Sequence, residues 1–326
     1  MRKEQILKVL RENGGFVSGQ ELSAQLNVSR TAVWKAVNQL KEAGYQIEAV
    51  SNRGYRLASA PDVLSVEELS SIRKTAWLGQ KIYFYRETDS TNTRARSLAE
   101  EGAPHGSVVV AEIQNAGRGR RGRQWSSPEG AGIWFTLLLK PDIRPNDASM
   151  LTLVAAMAVV KGIGRSTGLA PQIKWPNDIV LSGKKICGIL TEMSTQIDYV
   201  NHIVVGIGIN VKEQAFPPEI AKRATALELE GKEPVSRPRL LEAVLEEFEG
   251  YYELYMRTRD VSLFQEEYNS FLVNKGRQVK VLDPAVEYEG TALGIDTKGE
   301  LLVERQGEVV VVNSGEVSVR GIYGYV

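Results

Sequence analysis

A glycine- and arginine-rich segment at residues 114–125 reads QNAGRGRRGRQW and follows a predicted β-strand. Gly117, Gly119 and Gly122 satisfy the G-x-G-x-x-G pattern of dinucleotide-binding domains, but that pattern requires a helix to begin at the glycines. The next seven residues, SSPEGAG, are rich in helix breakers and lead into another strand. A Rossmann fold is therefore excluded, and the sequence contains no G-x-x-x-x-G-K-[ST] P-loop.

Four of the six residues from 118 to 123 are arginines. Like charges this close repel one another, so the cluster is costly to hold together without an anion. The glycines between them let the backbone approach a ligand closely and leave the empty loop mobile. We therefore expect the loop to order around a phosphate-bearing ligand. The alternative is a surface patch for nucleic acid or for localisation, but the flanking strands and Trp125 favour an internal ligand loop.

Strand-like and helix-like patterns alternate on both sides of this loop, from residue 64 to residue 272. The clearest are strands at 108–113, 133–139 and 202–210, a buried helix at 150–167 and a long acidic amphipathic helix at 239–257. This mixture predicts a central mixed α/β domain with a mainly antiparallel or mixed sheet, within a multidomain α+β chain.

The first sixty residues predict three short helices followed by a hairpin. The first helix covers about residues 4–12, and Ser18 with Glu21 three residues later forms a capping box for the second. Ser29 can cap a third helix that runs to about Ala43. Two strands then flank a turn at residues 52–54. This order predicts a winged helix-turn-helix domain over residues 1–60.

The third helix has two faces with different chemistry. Val33, Ala36, Val37 and Leu40 form a buried stripe, and the opposite side carries hydrogen-bonding groups and positive charge suited to a major groove. Nine lysines and arginines against five acidic residues give residues 1–60 a net charge of +4. A helical interaction domain whose polar face meets water is the alternative. The predicted DNA-binding residues are Ser29, Arg30, Thr31, Trp34, Lys35, Asn38 and, at the hairpin tip, Arg53.

Residues 275–326 show short strands separated by turns and no helical pattern. This predicts a small SH3-like β-barrel of five or six strands. It contains no cluster of catalytic residue types, so we expect it to cover the active site, to help position a partner protein, or to be purely structural.

Composition excludes several classes of protein. The single cysteine, Cys187, permits no intrachain disulfide, and two histidines are too few for a zinc site of Cys and His ligands, so no metal ligands are predicted. The first residues lack the continuous apolar core of a signal peptide. The longest mainly apolar stretch, residues 151–160, is shorter than the ~20 residues that span a bilayer. We expect a soluble cytoplasmic protein that does not bind membranes.

A second dense cluster reads KWPNDI at residues 174–179 and GKKICGIL at residues 183–190. By composition alone it is a polar β-hairpin, in which a lysine and an acid more often form a surface ion pair than a catalytic one. Together with GRGRRGRQW and the DSTN turn at residues 89–92, it resembles the biotin–protein ligases. With the winged helix ahead of it, essentially the whole chain resembles the bifunctional ligases that also repress the biotin operon. Gln124 departs from the family pattern, which commonly has a basic residue there.

The resemblance implies an activity in two steps. Mg²⁺ and ATP activate the biotin carboxylate to biotinyl-5′-AMP, and the biotinyl group is then transferred to a lysine of a biotin carboxyl carrier protein, part of acetyl-CoA carboxylase or another biotin-dependent carboxylase. It also implies operator DNA as a partner and a homodimer when biotinyl-5′-AMP is bound. Two alternatives remain: a biotin-sensing transcription factor without ligase activity, and a lipoate-type ligase.

The resemblance also assigns roles to individual residues. Lys185, Arg120 and Asp178 are the implied catalytic residues: Lys185 lies where carboxylate and α-phosphate meet, Arg120 neutralises both, and Asp178 orients or deprotonates the incoming amine or assists the metal. Trp125 stacks on adenine and Asn210 hydrogen-bonds the nucleotide. The implied biotin-binding residues are Ser90, Thr91, Asn92, Gln114, Arg118, Gly119, Arg120, Lys185 and Gly188, and the implied nucleotide-binding residues are Arg121, Arg123, Trp125, Lys174, Asn177 and Asn210.

Overall fold

A computed structural model describes residues 3–196, 199–282, 287–313, 318–321 and 325–326. The chain forms two compact units, Met1–Lys74 with Ser236–Pro238, and Thr75–Val235 with Arg239–Val326.

The first unit contains the predicted helices and hairpin, α1 (Lys3–Asn13), α2 (Gly19–Gln25), α3 (Arg30–Glu42), β1 (Gln46–Val50) and β2 (Gly54–Ser59), followed by α4 (Val66–Ile72). Ser18 accepts a hydrogen bond from the Glu21 amide, and Ser29 accepts one from the Ala32 amide. Both predicted helix caps are therefore confirmed. A core of buried apolar residues from α1, α2 and α3 holds the unit together, and the antiparallel β1–β2 pair forms the wing.

The second unit is built on a seven-stranded sheet, counted over the described residues, with the order β3-β4-β5-β9-β8-β7-β6. β3 and β4 are parallel and every other neighbouring pair is antiparallel, so the prediction of a mixed, mainly antiparallel sheet is confirmed. The strands are β3 (Ile82–Thr88), β4 (Ser107–Gln114), β5 (Gly132–Leu139), β6 (Gln172–Lys174), β7 (Asp178–Leu181), β8 (Lys184–Thr195) and β9 (Val200–Asn210).

Helices pack on this sheet. α5 (Thr91–Glu100) contacts β4, β5 and β9, and α6 (Leu151–Thr167) contacts β6 to β9. Almost every apolar residue of α6 is buried, as its run of alanine and valine predicts. The remaining α-helices of the described residues are α7 (Leu227–Gly231), α8 (Arg237–Thr258) and α9 (Gln265–Phe271).

One helical stretch among the described residues, Pro145–Thr167, has the length and apolar composition of a membrane span. Within its most apolar window, 72% is buried inside the fold. A buried core helix meets the same criterion, so this stretch is only weak evidence for a span.

The last part of the second unit contains β10 (Gln278–Leu282), β11 (Glu287–Ile295), β12 (Leu301–Arg305), β13 (Glu308–Val312) and β14 (Ser318–Gly321). All its neighbouring strands are antiparallel, in the order β13-β12-β11-β10-β14. This arrangement agrees with the prediction of a small SH3-like β domain. The Trp175 indole donates a hydrogen bond to the Gly299 carbonyl at 3.1 Å, which ties this sheet to the loop before β7.

Candidate active site and nucleic-acid interface

Two adjoining cavities lie at one end of the seven-stranded sheet, with volumes of about 190 Å³ and about 50 Å³. Gly119, Arg120, Trp125, Asn177 and Lys185 line both cavities. A ligand that fills both cavities must therefore pass Arg120 and Lys185, the two cations at the junction.

Neutral polar groups line one side of the smaller cavity. The loop after β3 and the start of α5 supply Ser90, Thr91 and Asn92, which are all buried. The side-chain oxygen of Gln114, Oε1, accepts hydrogen bonds from the Thr91 backbone amide at 2.9 Å and the Thr91 hydroxyl at 3.1 Å. The Thr136 hydroxyl donates to Asn92 Oδ1 at 2.7 Å. These bonds fix the orientation of the cavity wall without adding charge to it.

Glycines on β8 and β9 form the floor of the smaller cavity. A Cβ atom on Gly206 would lie 2.2 Å from Asn92 Oδ1, and one on Gly208 would lie 2.4 Å from Trp125 Nε1. Neither position accommodates a side chain without movement of the neighbour, Asn92 or Trp125. Trp125 covers Gly208, and within the described part of the chain its indole N–H has no hydrogen-bond partner.

A charged network lies where the two cavities meet. Asp178, the first residue of β7, forms an ion pair with Lys185 through Oδ1, and its Oδ2 accepts a hydrogen bond from the Tyr325 hydroxyl at 2.5 Å. Lys174 Nζ lies 4.0 Å from Asp178 Oδ2 and 4.0 Å from the centre of the Tyr325 ring. Burial opposes ionisation of Asp178, but Lys185, Lys174 and the hydrogen bonds outweigh it and hold the pKa of this carboxyl below its ordinary value.

The arginine loop between β4 and β5 contributes one arginine to the interior of the site. Arg120 Nη1 donates a hydrogen bond to Asn177 Oδ1 at 3.0 Å, whereas Arg118, Arg121 and Arg123 are exposed. Burial lowers the pKa of Arg120, and the positive charges of Arg121 and Arg123 add to this effect while Asp178 opposes it. The mutual repulsion expected from the sequence is therefore present at this residue. An anion in the larger cavity would relieve it.

The larger cavity reaches from this junction to the end of β9. Asn210 Nδ2 donates to the Thr225 carbonyl at 3.1 Å, and Asn210 Oδ1 accepts from Gln214 Nε2 at 2.9 Å. Phe216 and Ile220 add apolar surface to the same cavity. A planar apolar group with polar edges matches this combination of residues.

The face of α3 that was predicted to bind DNA is exposed in the first unit. Arg30, Thr31, Trp34 and Lys35 are exposed, and the Trp34 side chain retains 56% of its accessible surface. Asn38 is half-buried, and Arg53 at the tip of the wing is exposed. Ser29 is exposed and caps the N-terminus of α3.

Ion pairing divides the basic residues of the described range 3–60 into two groups. Lys3, Lys8, Arg11 and Arg56 each form an ion pair with a glutamate. By contrast, Arg30, Lys35, Lys41 and Arg53 form no ion pair with any residue that the structure describes. The unpaired group includes every basic residue predicted to bind DNA. Positive charge without an internal partner remains available to phosphates.

Known families match all three predicted regions. The Biotin/lipoate A/B protein ligase family matches residues 83–210, an HTH domain matches residues 2–56, and the Biotin protein ligase C terminal domain matches residues 276–320. The bifunctional ligase/repressor BirA of Bacillus subtilis is 41% identical over 93% of this chain and 94% of its own length. The corresponding protein of Bacillus spizizenii is 42% identical over 94% of both chains. The chain belongs to the biotin–protein ligase family.

A solved structure is also similar to the fold of this chain. The biotin protein ligase of Aquifex aeolicus in complex with biotin and ATP has a TM-score of 0.66 and 31% sequence identity, and the match covers 74% of this chain and 99% of that one.

All the ligand-binding and catalytic residues that the family resemblance implied line one or both cavities. All the predicted biotin-binding residues line the smaller cavity, and all the predicted nucleotide-binding residues line the larger one. Lys185 and Arg120 line both, and Asp178 lines the larger cavity. Their individual roles remain predictions.

Some residues of this biotin–protein ligase site were missed by the sequence analysis. Tyr325 and Arg223 line the larger cavity, and Gln214 holds Asn210. Phe216, an apolar residue in a polar loop, offered a weak signal of a ligand-facing position. Tyr325 offered none, because it meets Asp178 across 147 positions of the sequence.

Proposed function

We propose that the protein ligates biotin to a lysine of a biotin carboxyl carrier protein in two steps. Biotin and ATP form biotinyl-5′-AMP and pyrophosphate, and the lysine amine then displaces AMP. The observation that carries this proposal is that a small cavity with a neutral polar wall meets a larger cationic cavity at Arg120 and Lys185. A carboxylate in the first cavity and a phosphate in the second would approach each other between these cations.

In the first step a biotin carboxylate oxygen attacks the α-phosphorus and pyrophosphate leaves. Both reactants are anionic, so the main requirement is charge neutralisation and alignment. Lys185 on β8 is held by Asp178 at the junction of the cavities, and Arg120 is held by Asn177 beside it. We assign to both residues the stabilisation of charge on the carboxylate and the α-phosphate.

In the second step the lysine amine of the carrier attacks the acyl carbon and AMP leaves with the electrons of the acyl–oxygen bond. The amine must lose a proton. Asp178 is held ionised by Lys185 and Lys174, and is the one acidic residue among the described residues that line the larger cavity. We assign to it the orientation or deprotonation of the amine.

The residues that the structure describes do not fit a resident Mg²⁺ site. Across the described ranges no three histidine, cysteine, aspartate or glutamate residues are grouped closely enough to hold a metal ion. Asp178 already pairs with Lys185 and Tyr325. Because Mg²⁺ is commonly bound through substrate phosphates with only one or two carboxylates, we propose that it enters as part of Mg-ATP.

The nucleotide is proposed to occupy the larger cavity. Trp125 would stack on adenine and Asn210 would hydrogen-bond its edge, and Arg121, Arg123 and Lys174 supply positive charge near the phosphates. The present hydrogen bonds of Asn210 to Thr225 and Gln214 must change or be shared for that contact.

We also propose that the protein represses biotin genes in the cytoplasm when it holds biotinyl-5′-AMP. The unpaired cations on α3 and the wing support binding to operator DNA. Ordering of the arginine loop by the adenylate would favour a homodimer, and two winged helices would then read a palindromic site.

One incubation separates this proposal from its alternatives. The full chain is mixed with biotin, ATP, Mg²⁺ and a biotin-carrier domain, and the carrier is weighed by mass spectrometry. Addition of one biotinyl group is expected. Biotin binding with no change in carrier mass would indicate a sensor without ligase activity, and modification with lipoate in preference to biotin would indicate a lipoate-type ligase.

A further inference from the structure

We propose that Phe16 is a positioning residue for DNA binding, whose ring holds the Arg53 guanidinium at the tip of the wing ready for a backbone phosphate. The inference rests on the proposed DNA-binding role of the first unit. It assigns a specific task to a residue that lies between α1 and α2 and outside the face predicted to enter the groove.

Backbone pairing fixes Phe16 beside the wing. The next residue, Val17, exchanges two hydrogen bonds with Tyr55 of β2, each 2.9 Å long, and so forms an isolated antiparallel bridge to the hairpin. Gly54 has φ +105°, and a Cβ atom there would lie 2.1 Å from the Val17 carbonyl oxygen. The close approach of the two segments therefore requires glycine at position 54.

Two arginines of the hairpin lie over the Phe16 ring. The Arg53 guanidinium carbon is 4.4 Å from the ring centre and that of Arg56 is 5.1 Å from it. Both distances are within the range of a cation–π contact. The ring is half-buried, so it has a fixed position from which to hold the more exposed Arg53.

The two arginines differ in their charge partners. Arg56 donates to both carboxylate oxygens of Glu48, at 2.9 and 2.8 Å, so its charge is neutralised within the hairpin. Arg53 forms no ion pair with any described residue. Of the two cations on Phe16, Arg53 is thus the one available to an external phosphate.

The expected gain in DNA affinity comes from restricting the Arg53 side chain before DNA binds. A free arginine at a hairpin tip samples many rotamers and loses that freedom when it binds a phosphate. A ring that already restricts the side chain reduces this loss. An exposed cation–π contact corresponds to about a two- to fivefold change in an equilibrium constant, which sets the size of the expected effect.

A double-mutant cycle tests the inference with the full chain, incubated with biotin, ATP and Mg²⁺, and a fluorescent duplex of mixed sequence. The variants are Phe16→Leu, Arg53→Ala and the double substitution, and dissociation constants are measured at several salt concentrations. Phe16→Leu is expected to weaken binding about two- to fivefold in the presence of Arg53 and not at all in its absence. Arg53→Ala is expected to reduce the salt slope by about one, whereas Phe16→Leu leaves the slope close to wild type.

Phe16→Tyr is the matched control, because it keeps the ring and should keep wild-type affinity. Equal weakening by Phe16→Leu with and without Arg53 would mean that Phe16 only supports the fold and would overturn the inference, as would no weakening at all. If the wild-type chain binds no duplex even at low salt, the proposed DNA-binding role itself fails. That result is distinguishable from failure of the Phe16 inference alone, in which the wild type binds and the cycle shows no coupling.

Discussion

The cations of the two proposed phosphate-binding regions are in opposite physical states. At the junction of the cavities, the side chains of Lys174 and Lys185 are only 6% and 25% exposed, and both lie beside Asp178. On α3 and the wing, Arg30, Lys35 and Arg53 are exposed and pair with no acidic residue that the structure describes. One region holds its charges in a fixed internal network, and the other leaves them in water.

This difference matches the two tasks. A charge partly removed from water interacts with a phosphate several times more strongly than an exposed one, because the effective dielectric constant is lower. Exposed charges are screened over about 8 Å at physiological salt. The interior cations are therefore suited to stabilising a reaction, and the exterior ones to reversible, salt-dependent binding of DNA.

The largest effect is expected from a substitution at the centre of the network formed by Lys174, Asp178 and Lys185. Lys185→Ala should reduce biotin-dependent pyrophosphate release at least about 100-fold, because it removes a cation from the point where negative charge collects. The measurement is pyrophosphate release at saturating ATP. Lys184→Ala is the matched control, since Lys184 is exposed and lies outside the cavities. A near-normal rate for Lys185→Ala would refute the assigned role.

The second effect concerns stability and its pH dependence. Asp178→Asn leaves Lys185 and Lys174 without their carboxylate and should lower the free energy of unfolding by about 3 kcal/mol at pH 7. The native pKa of Asp178 is below its ordinary value, so this stabilisation is complete above the unfolded pKa of about 3.9 and is lost as pH falls through the native pKa. The difference between wild type and variant should therefore be constant from pH 5 to 8 and shrink below about pH 4.

Thermal unfolding of both proteins across that pH range measures this difference. The control is Glu129→Gln, which breaks the exposed pair with Arg86 and should cost less than about 1 kcal/mol. A difference for Asp178→Asn that grows as the pH falls would contradict the pairing described here.

The contrast between the regions also shows what the sequence could predict. The caps at Ser18 and Ser29 followed from local patterns, because a helix start involves residues only three positions apart. The arginine loop and KWPNDI were recognisable because each is contiguous in the sequence. Their convergence on two cavities followed from the resemblance to a known family and not from composition or periodicity.

The contacts that escaped prediction are long-range ones. Tyr325 reaches Asp178, and Thr136 of β5 bonds to Asn92 of α5, through packing that no local pattern encodes. The pairing of Arg11 was equally invisible, because its ion-pair partner Glu68 is 57 positions away in the sequence. Tertiary geometry decides which charges are neutralised.

A smaller effect is expected from the exposed part of the arginine loop. Arg118 lines the smaller cavity and is exposed, so it can close on an anion when the loop orders. Arg118→Gly should allow biotinyl-5′-AMP to dissociate about 10- to 100-fold faster, the loss expected for one charge-assisted hydrogen bond. Dissociation can be followed by chasing labelled adenylate with excess unlabelled adenylate. Arg118→Lys should keep dissociation close to the wild-type rate, and Arg118→Gln should speed it as Arg118→Gly does. If Arg118→Gly retains the adenylate as tightly as wild type, the proposed contact is wrong.

The smallest effect is expected when an unpaired exposed cation and a paired one are removed in turn and DNA binding is compared. Lys35→Ala removes an unpaired cation from α3, whereas Lys8→Ala removes one that already pairs with Glu12 in α1. Both substitutions change the net charge equally, and both sites are exposed helix positions. If the unpaired cations contact phosphates, Lys35→Ala should lower the slope of log K against log salt by about one, with an affinity loss of a few-fold, and Lys8→Ala should leave the slope unchanged. Equal slopes for the two variants would mean that DNA responds only to the overall charge of the unit, and the distinction between paired and unpaired cations would then have no bearing on DNA binding.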